Sequence, residues 1–247
     1  MIVGGVNHWK AFNEWRSPSY LTDRAGAEPI QVTRGLVLDW ILKQAVDHQS
    51  GMGTSSAVET MSLARYMDMM FNEFDRTRIL YARQIPVPVR ISDDLGAPSP
   101  FDGFVDDRTM FVGRRSYTDC HEHGAYDAFM CQVAGSKEVI LHPPDEVHAR
   151  VLYASPALGN WSPVRFFSVD AIRFPMFAMN KPWKAEVNPG DALYIPNPWW
   201  HAVVALDDEV GITVTCWCRP MRLSLSHPQT RHMLEKRRAR MTTEQGR

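Results

Sequence analysis

After residue 78 the apolar residues of this 247-residue chain no longer recur every three or four positions. They fall instead into short runs broken by Pro, Gly and Asp, at 78–84, 108–113, 127–134, 137–142, 164–169, 184–187, 191–195, 201–206 and 210–217. About eight or nine short runs of this kind, with turn residues between them, predict an all-β sandwich or barrel. The preceding part has a different period. Trp9, Phe12, Trp15 and Leu21 share a helical face, with a break and restart at Ser17-Pro18. Pro29 to Val32 reads as a short strand, Leu36 to Val46 as a helix, and Gln49 to Ala57 as a loop. Ser62 to Phe74 reads as a further helix burying Leu63, Tyr66, Met67, Met70 and Phe71, with the methionines filling core. Residues 145–153 read as a helical insertion, and the basic tail from Leu223 as a terminal helix. The resulting expectation is one domain over 1–247: a helical flank at 1–77, a barrel at 78–219 and a helical tail at 220–247.

The bulk properties exclude several classes. A net charge of -1 gives the molecule no overall pull toward nucleic acid or membrane. No run of about 20 apolar residues spans a bilayer, and Met1 to His8 do not read as a leader peptide. Cys120, Cys131, Cys216 and Cys218 form neither a disulfide framework nor a zinc spacing. A reduced, cytoplasmic protein is the expectation. The basic tail Glu235 to Arg240 reads as a solvated helix end, and that helix offers a surface for pairing two copies.

Two places carry chemistry. His121-Glu122-His123 stands at the end of a strand, and His201 follows the Pro-rich bend Ile195-Pro196-Asn197-Pro198 and two tryptophans. Alternate residues of a strand share a face, so His121 and His123 can point at one spot inside a barrel, and His201 can close the site from another strand. Other histidines lack partners at useful spacing; His142, before Pro143-Pro144, reads as structural. No nucleophile–base pattern or phosphate loop is present, and Cys120 faces outward if His121 faces in.

The stretch Tyr126 to Asp145 resembles the strand–turn–strand unit that follows the first metal motif of cupin-like Jumonji-C oxygenases. Ser162-Pro163-Val164, Arg173-Phe174-Pro175, Gly190-Asp191 through His201, and Gly211 to Trp217 continue the same order. Trp15 to Gly26 and Glu59 to Ser62 extend the likeness into the N-terminal part. The likeness is closest to the small hydroxylase branch that includes the asparaginyl hydroxylase of hypoxia-inducible factor. It implies a double-stranded β-helix, a jelly-roll barrel of two facing sheets with helices outside.

It also implies a non-haem Fe(II) oxygenase using 2-oxoglutarate and O2. In that family two histidines and one carboxylate hold the metal and leave a face open for cosubstrate and oxygen. By this likeness His121 is the first ligand, because Thr118 stands three residues before it, and His201 is the distal ligand. Lys137, after Gly135-Ser136, matches the lysine that pairs with the far carboxylate of 2-oxoglutarate. Thr118 and Thr215 fall at cosubstrate-facing positions.

Three departures bear on function. His123 occupies the place of the acid; one extra residue separates His121 from Gln132; and Ala128 and Thr215 stand where pocket asparagines are usual. Three alternatives follow: a site of His121, His123 and His201; a bulge that turns Glu122 inward as a carboxylate ligand and catalytic group; or a barrel that binds metal weakly or not at all. A small-molecule substrate is expected ahead of a protein side chain.

Overall fold

The structure is a computed structural model that describes residues 1–36, 57–98, 104–124, 126–153, 160–166 and 169–219. Two short helices open the chain, α1 (Lys10–Glu14) and α2 (Pro18–Ala25), the second with Pro18 at its first position, where a missing N–H costs nothing. β1 (Pro29–Leu36) pairs antiparallel with β2 (Ala57–Ser62). α3 (Leu63–Asn72) follows directly, with the Ser62 hydroxyl accepting from Arg65 N at 3.2 Å as its N-cap. Then come β3 (Arg78–Pro86), a 3-10 turn (Val89–Asp94), β4 (Val105–Gly113), β5 (Tyr117–His121), β6 (Asp127–Ala134) and β7 (Lys137–His142). α4 (Glu146–Val151) leads on to β8 (Trp183–Val187), β9 (Ala192–Ile195), β10 (Trp200–Ala205) and β11 (Gly211–Cys218).

The strands form two sheets, one in the order β2-β1-β3-β4-β11-β6-β9 and the other β5-β10-β7-β8. This mainly β, antiparallel arrangement is the expected cupin-type sandwich. Both sheets are covered, so their central strands are buried on two faces; every residue of β6 is buried. Phe129, Cys131 and Val133 of β6, with Val214, Cys216 and Cys218 of β11, join Trp9, Trp15, Leu21, Tyr66 and Met70 in a core beneath the N-terminal helices. The alternate residues Met130 of β6 and Leu193 and Ile195 of β9 pack with Val139 and Leu141 of β7 between the sheets. Cys120, Ile140, Trp200 and Ala202 pack outside the smaller sheet with Val151 and Leu152 of the α4 region.

Tyr66 joins the helical layer to the large sheet. Its hydroxyl donates to the Val112 carbonyl at 2.5 Å and accepts from Ala82 N at 3.1 Å, in full burial. Asp94, also buried, accepts from Trp15 Nε1 and from the Tyr20 hydroxyl, both at 2.9 Å. Burial alone would raise the Asp94 pKa, but these hydrogen bonds and Lys10 outweigh it and hold the carboxyl below its ordinary value.

The structure changes the expected layout in places. The flank 1–77 is not purely helical, since β1 and β2 extend the large sheet; Ala57, expected in a loop, starts β2. β2 is largely exposed, so it has no apolar alternation to reveal it. Residues 164–166 and 169, expected in a strand, carry none. There the Ser162 hydroxyl accepts from Val164 N at 3.1 Å, a local turn bond that competes with ladder pairing. Phe71, expected on the buried side of α3, is 43% exposed, and Met69 is buried in its stead. The helix expected over Leu36 to Val46 lies, beyond Leu36 itself, outside the described residues, as does the C-terminal helical tail. Among the described residues no helix is long and apolar enough to cross a membrane.

Tyr66→Phe removes a hydroxyl that satisfies two buried backbone groups. The expected result is a loss of about 1–3 kcal/mol of unfolding free energy in urea titration, with the fold retained by circular dichroism; an unchanged midpoint would show that the bridge contributes nothing.

Candidate metal centre

β5 is an edge strand of the smaller sheet, and its irregular pairing builds the site. His201 of β10 stands opposite His121, and Val203 opposite Thr118. Two steps along β10 thus span three along β5, which is a β-bulge. The extra residue lets Thr118 and His121 both line the interior although an odd number of steps separates them, while Cys120 packs on the outer cluster. The bulge considered at Glu122 therefore lies upstream of it.

The three imidazoles converge. Ring centroids are 4.3 Å apart for His121 and His201, 4.4 Å for His123 and His201, and 5.4 Å for His121 and His123. One nitrogen from each ring lies within 4.8 Å of the other two. His121 Nδ1 donates to the Asp119 carbonyl at 2.9 Å, and His201 Nδ1 to the Trp199 carbonyl at 3.3 Å. A carbonyl can only accept, so both rings carry their proton on Nδ1 and keep the Nε2 lone pair free, the tautomer a histidine needs to bind a metal through Nε2. His123 Nδ1 is buried and has no hydrogen-bond partner. Burial pushes the His121 pKa down to about 4 and those of His123 and His201 well below the ordinary value, with the neighbouring rings lowering the latter two further. Neutral, convergent imidazoles with an unsatisfied buried nitrogen fit a divalent transition metal.

Glu122 is not in this cluster. It is 4% exposed, its carboxylate accepts from Gly124 N at 2.6 Å, and its backbone is held on both sides by Asn160. Burial raises its pKa, against the pull of the Gly124 bond. It borders the same cavity as the histidines.

That cavity, about 530 Å³, also takes in Thr118, Lys137, Thr213 and Thr215. Lys137 opens β7 and is 3% exposed; burial lowers its pKa to about 8, with Asp207 pulling the other way. In the β10–β7 ladder Lys137 faces Ala205, four residues along from His201. Four residues of strand span about 13 Å between Cα positions. The Tyr81 hydroxyl lies 3.5 Å from Thr118 Oγ1 on the same wall.

Several residues that shape the site lie outside the ligand and cosubstrate candidates named from the sequence. Residues 160–162 add to the end of β5 as a strap, with Glu122 N donating to the Asn160 carbonyl and Ser162 N to that of Cys120. The strap lays the Trp161 ring on His121, centroids 4.7 Å apart and planes 22° apart. Trp217 meets His123 edge-on at 4.8 Å. Asp127, fully buried, accepts from the Tyr194 hydroxyl at 2.6 Å and from Asn197 N at 2.9 Å, while the Asn197 side chain donates to the Gly124 carbonyl. Asp127 thus fastens the Pro-rich bend before His201 to the loop after His123. His142, read as structural, is buried outside the cluster with Nε2 on Asn180 Oδ1 at 2.7 Å.

Comparison with known proteins agrees with this architecture. A family described as "Cupin-like domain" matches residues 1–222. Jumonji C domain-containing protein 5 of Drosophila melanogaster is 24% identical over 212 residues, 82% of this chain and 50% of that protein. Lysine-specific demethylase 8 of Xenopus tropicalis is 23% identical over 230 residues, 88% of this chain and 47% of that protein. HSPB1-associated protein 1 homolog of Danio rerio is 29% identical over 120 residues, 45% of this chain and 25% of that protein. The chain spans about half the length of the first two relatives, and none of the three bears the name of the asparaginyl hydroxylase to which the motifs point. A match over that much of the chain shows the family: this protein belongs to the cupin-like domain family, in its Jumonji-C form.

Proposed function

We propose that the protein is a non-haem Fe(II) oxygenase that uses 2-oxoglutarate and O2 to oxidise a small molecule. The observation that carries this reading is the placement of three convergent neutral imidazoles and one buried lysine on the same cavity. His121, His123 and His201 would hold the iron, which when bound supplies the oxidative chemistry. Lys137 pairs with the far carboxylate of the cosubstrate, with Thr118 and Thr215 lining its path. The bulge in β5 and the Asp127 clamp orient the ligands; Trp161 and Trp217 keep water from two of the three rings. Glu122 stands at the cavity wall with a carboxyl pushed toward its protonated form, and serves as the candidate proton carrier in place of a ligand. Four buried free thiols suit a reducing compartment such as the cytoplasm.

A second reading rests on the donor set itself. Three imidazoles bring no charge to offset the metal, so a substrate that binds the metal directly through an enolate or carboxylate could take the place of 2-oxoglutarate. Conversion of 2-oxoglutarate to succinate by the iron-loaded protein separates the two readings. Failure to retain any metal points to a cupin that only binds ligands.

The ligand assignment has a direct test. His201→Ala and His123→Ala are expected to lose iron on gel filtration followed by metal analysis, while Glu122→Ala keeps about one ion per chain. His123→Asp, which supplies a carboxylate at the same position, is expected to keep it too. Iron lost in Glu122→Ala and kept in His123→Ala would reverse the assignment.

Lys137→Ala is expected to weaken 2-oxoglutarate binding by roughly 1.5–3 kcal/mol in calorimetric titration, the scale of a hydrogen bond to a charged group, with metal content unchanged. The pH dependence has a definite sign. Lys137 is cationic below its pKa of about 8 and neutral above it, so affinity for the dianion should be highest below that pH and fall as pH rises through it. Affinity that climbs across the same range would remove Lys137 from this role.

A further inference from the structure

β8 ends the smaller sheet, with β7 as its one neighbour. The opposite edge, β5, carries the strap at 160–162, and β9, an edge of the larger sheet, is held at Ala192 by Ile2. β8 has no such cover: among the described residues, none beyond β7 hydrogen-bonds to its backbone. An uncovered edge is a row of N–H and C=O groups ready to take another strand. Trp183, Lys184 and Glu186 are exposed, Trp183 by 67%. Pro182 and Pro189 bracket the strand and, lacking an N–H, confine any pairing to a short window.

The side chains of β8 alternate in chemistry as well as in direction. Ala185 and Val187 pack with Val139 and Leu141 on the side facing the larger sheet, and Trp183 shares their face. Lys184 and Glu186 lie on the outer face, opposite Ile140 and Glu138 of β7. Glu186 thus faces a like charge across the ladder, an unfavourable pair. Lys184 Nζ serves Glu138, at 3.1 and 3.2 Å from its two oxygens, and among the described residues Glu186 has no ion pair.

This pattern is complementary to itself in one register. In an antiparallel pair about a two-fold axis, each contact occurs twice and opposed residues point to the same side. An axis at Lys184 sets lysine against lysine, and one at Glu186 sets glutamate against glutamate. An axis at Ala185 sets Lys184 against Glu186 twice, Trp183 against Val187 twice, and the small Ala185 against its own copy. We propose that two copies of this chain associate through β8, antiparallel about a two-fold axis at Ala185, so that the two smaller sheets become one. The surface is separate from the C-terminal tail. Pairing makes β8 an interior strand, gives Glu186 a cation and braces β7, whose Lys137 stands opposite Val187.

The test is sedimentation velocity of the full chain over a wide range of micromolar concentration. The wild type is expected to form a dimer that weakens in high salt. Lys184→Glu and Glu186→Lys each set like charges against one another at both contacts, so each should raise the dimer dissociation constant about tenfold or more. An equimolar mixture of these two variants should recover the dimer, because every contact between positions 184 and 186 again joins opposite charges. The double variant Lys184→Glu with Glu186→Lys should recover it alone. If Lys184→Glu fails to fold for want of its bond to Glu138, judged by its melting curve, Glu186→Lys and the double variant still decide. A wild type that stays monomeric leaves this edge to a strand of another protein, or to none, and overturns the proposal. A dimer indifferent to both single variants also overturns it, by placing the contact elsewhere, as at the C-terminal tail. So does a mixture of two folded single variants that stays monomeric.

Discussion

The interior strands are packed on both faces, and this constraint governs the rest of the molecule. In β6 and β11 one set of alternate residues must satisfy a dry layer of helices, and the other must satisfy the space between the sheets. The helix-facing set is apolar or thiol: Phe129, Cys131 and Val133, then Val214, Cys216 and Cys218. The inward set of β11 is Thr213, Thr215 and Trp217, all on the cavity. A one-residue slip of either strand would exchange the two sets, driving threonines under the helices and cysteines into the cavity. The register that keeps the core dry is the same one that aims the site.

Within that frame the histidine cluster is costly in any charged form. Each ring is deprived of water, so protonation is disfavoured, and the rings lie close enough to oppose one another's charge. Carbonyl acceptors at Asp119 and Trp199 fix the tautomers, the Trp161 strap fixes one ring plane, and the Asp127 clamp joins the two chain segments that bring His123 and His201 together. The three histidines are thus held by backbone carbonyls and buried polar groups on rigid strands, which is how a binding constellation keeps its geometry before a ligand arrives.

Much of this was legible in the sequence and part was not, for identifiable reasons. Strands with a clear apolar run, such as β6, β7 and β11, appear close to where periodicity places them. β5 is short and bulged, so it has no run of its own even though His121 at its end was legible as a ligand candidate. β2 exposes most of its side chains and is defined by its partner alone. The strap at Asn160 to Ser162 hides because its hydrogen bonds go to a strand some 40 positions earlier in the chain. The choice between His123 and Glu122 could not be made by counting, because a bulge shifts the face of every residue after it. The bulge opposite His201 and Val203 groups His121, His123 and His201 and leaves Glu122 outside that group.

The four cysteines have a practical meaning. Cys120 lies beneath α4 on the outer side of the small sheet, and Cys131, Cys216 and Cys218 lie beneath the N-terminal helices on the outer side of the large one. A sheet stands between each thiol and the cavity. Reagents that label cysteine would therefore be blind to whatever fills the cavity and would respond when a helical layer lifts from its sheet. The rate of thiol labelling would measure local opening of those layers, a property of the scaffold that can be followed independently of the chemistry inside.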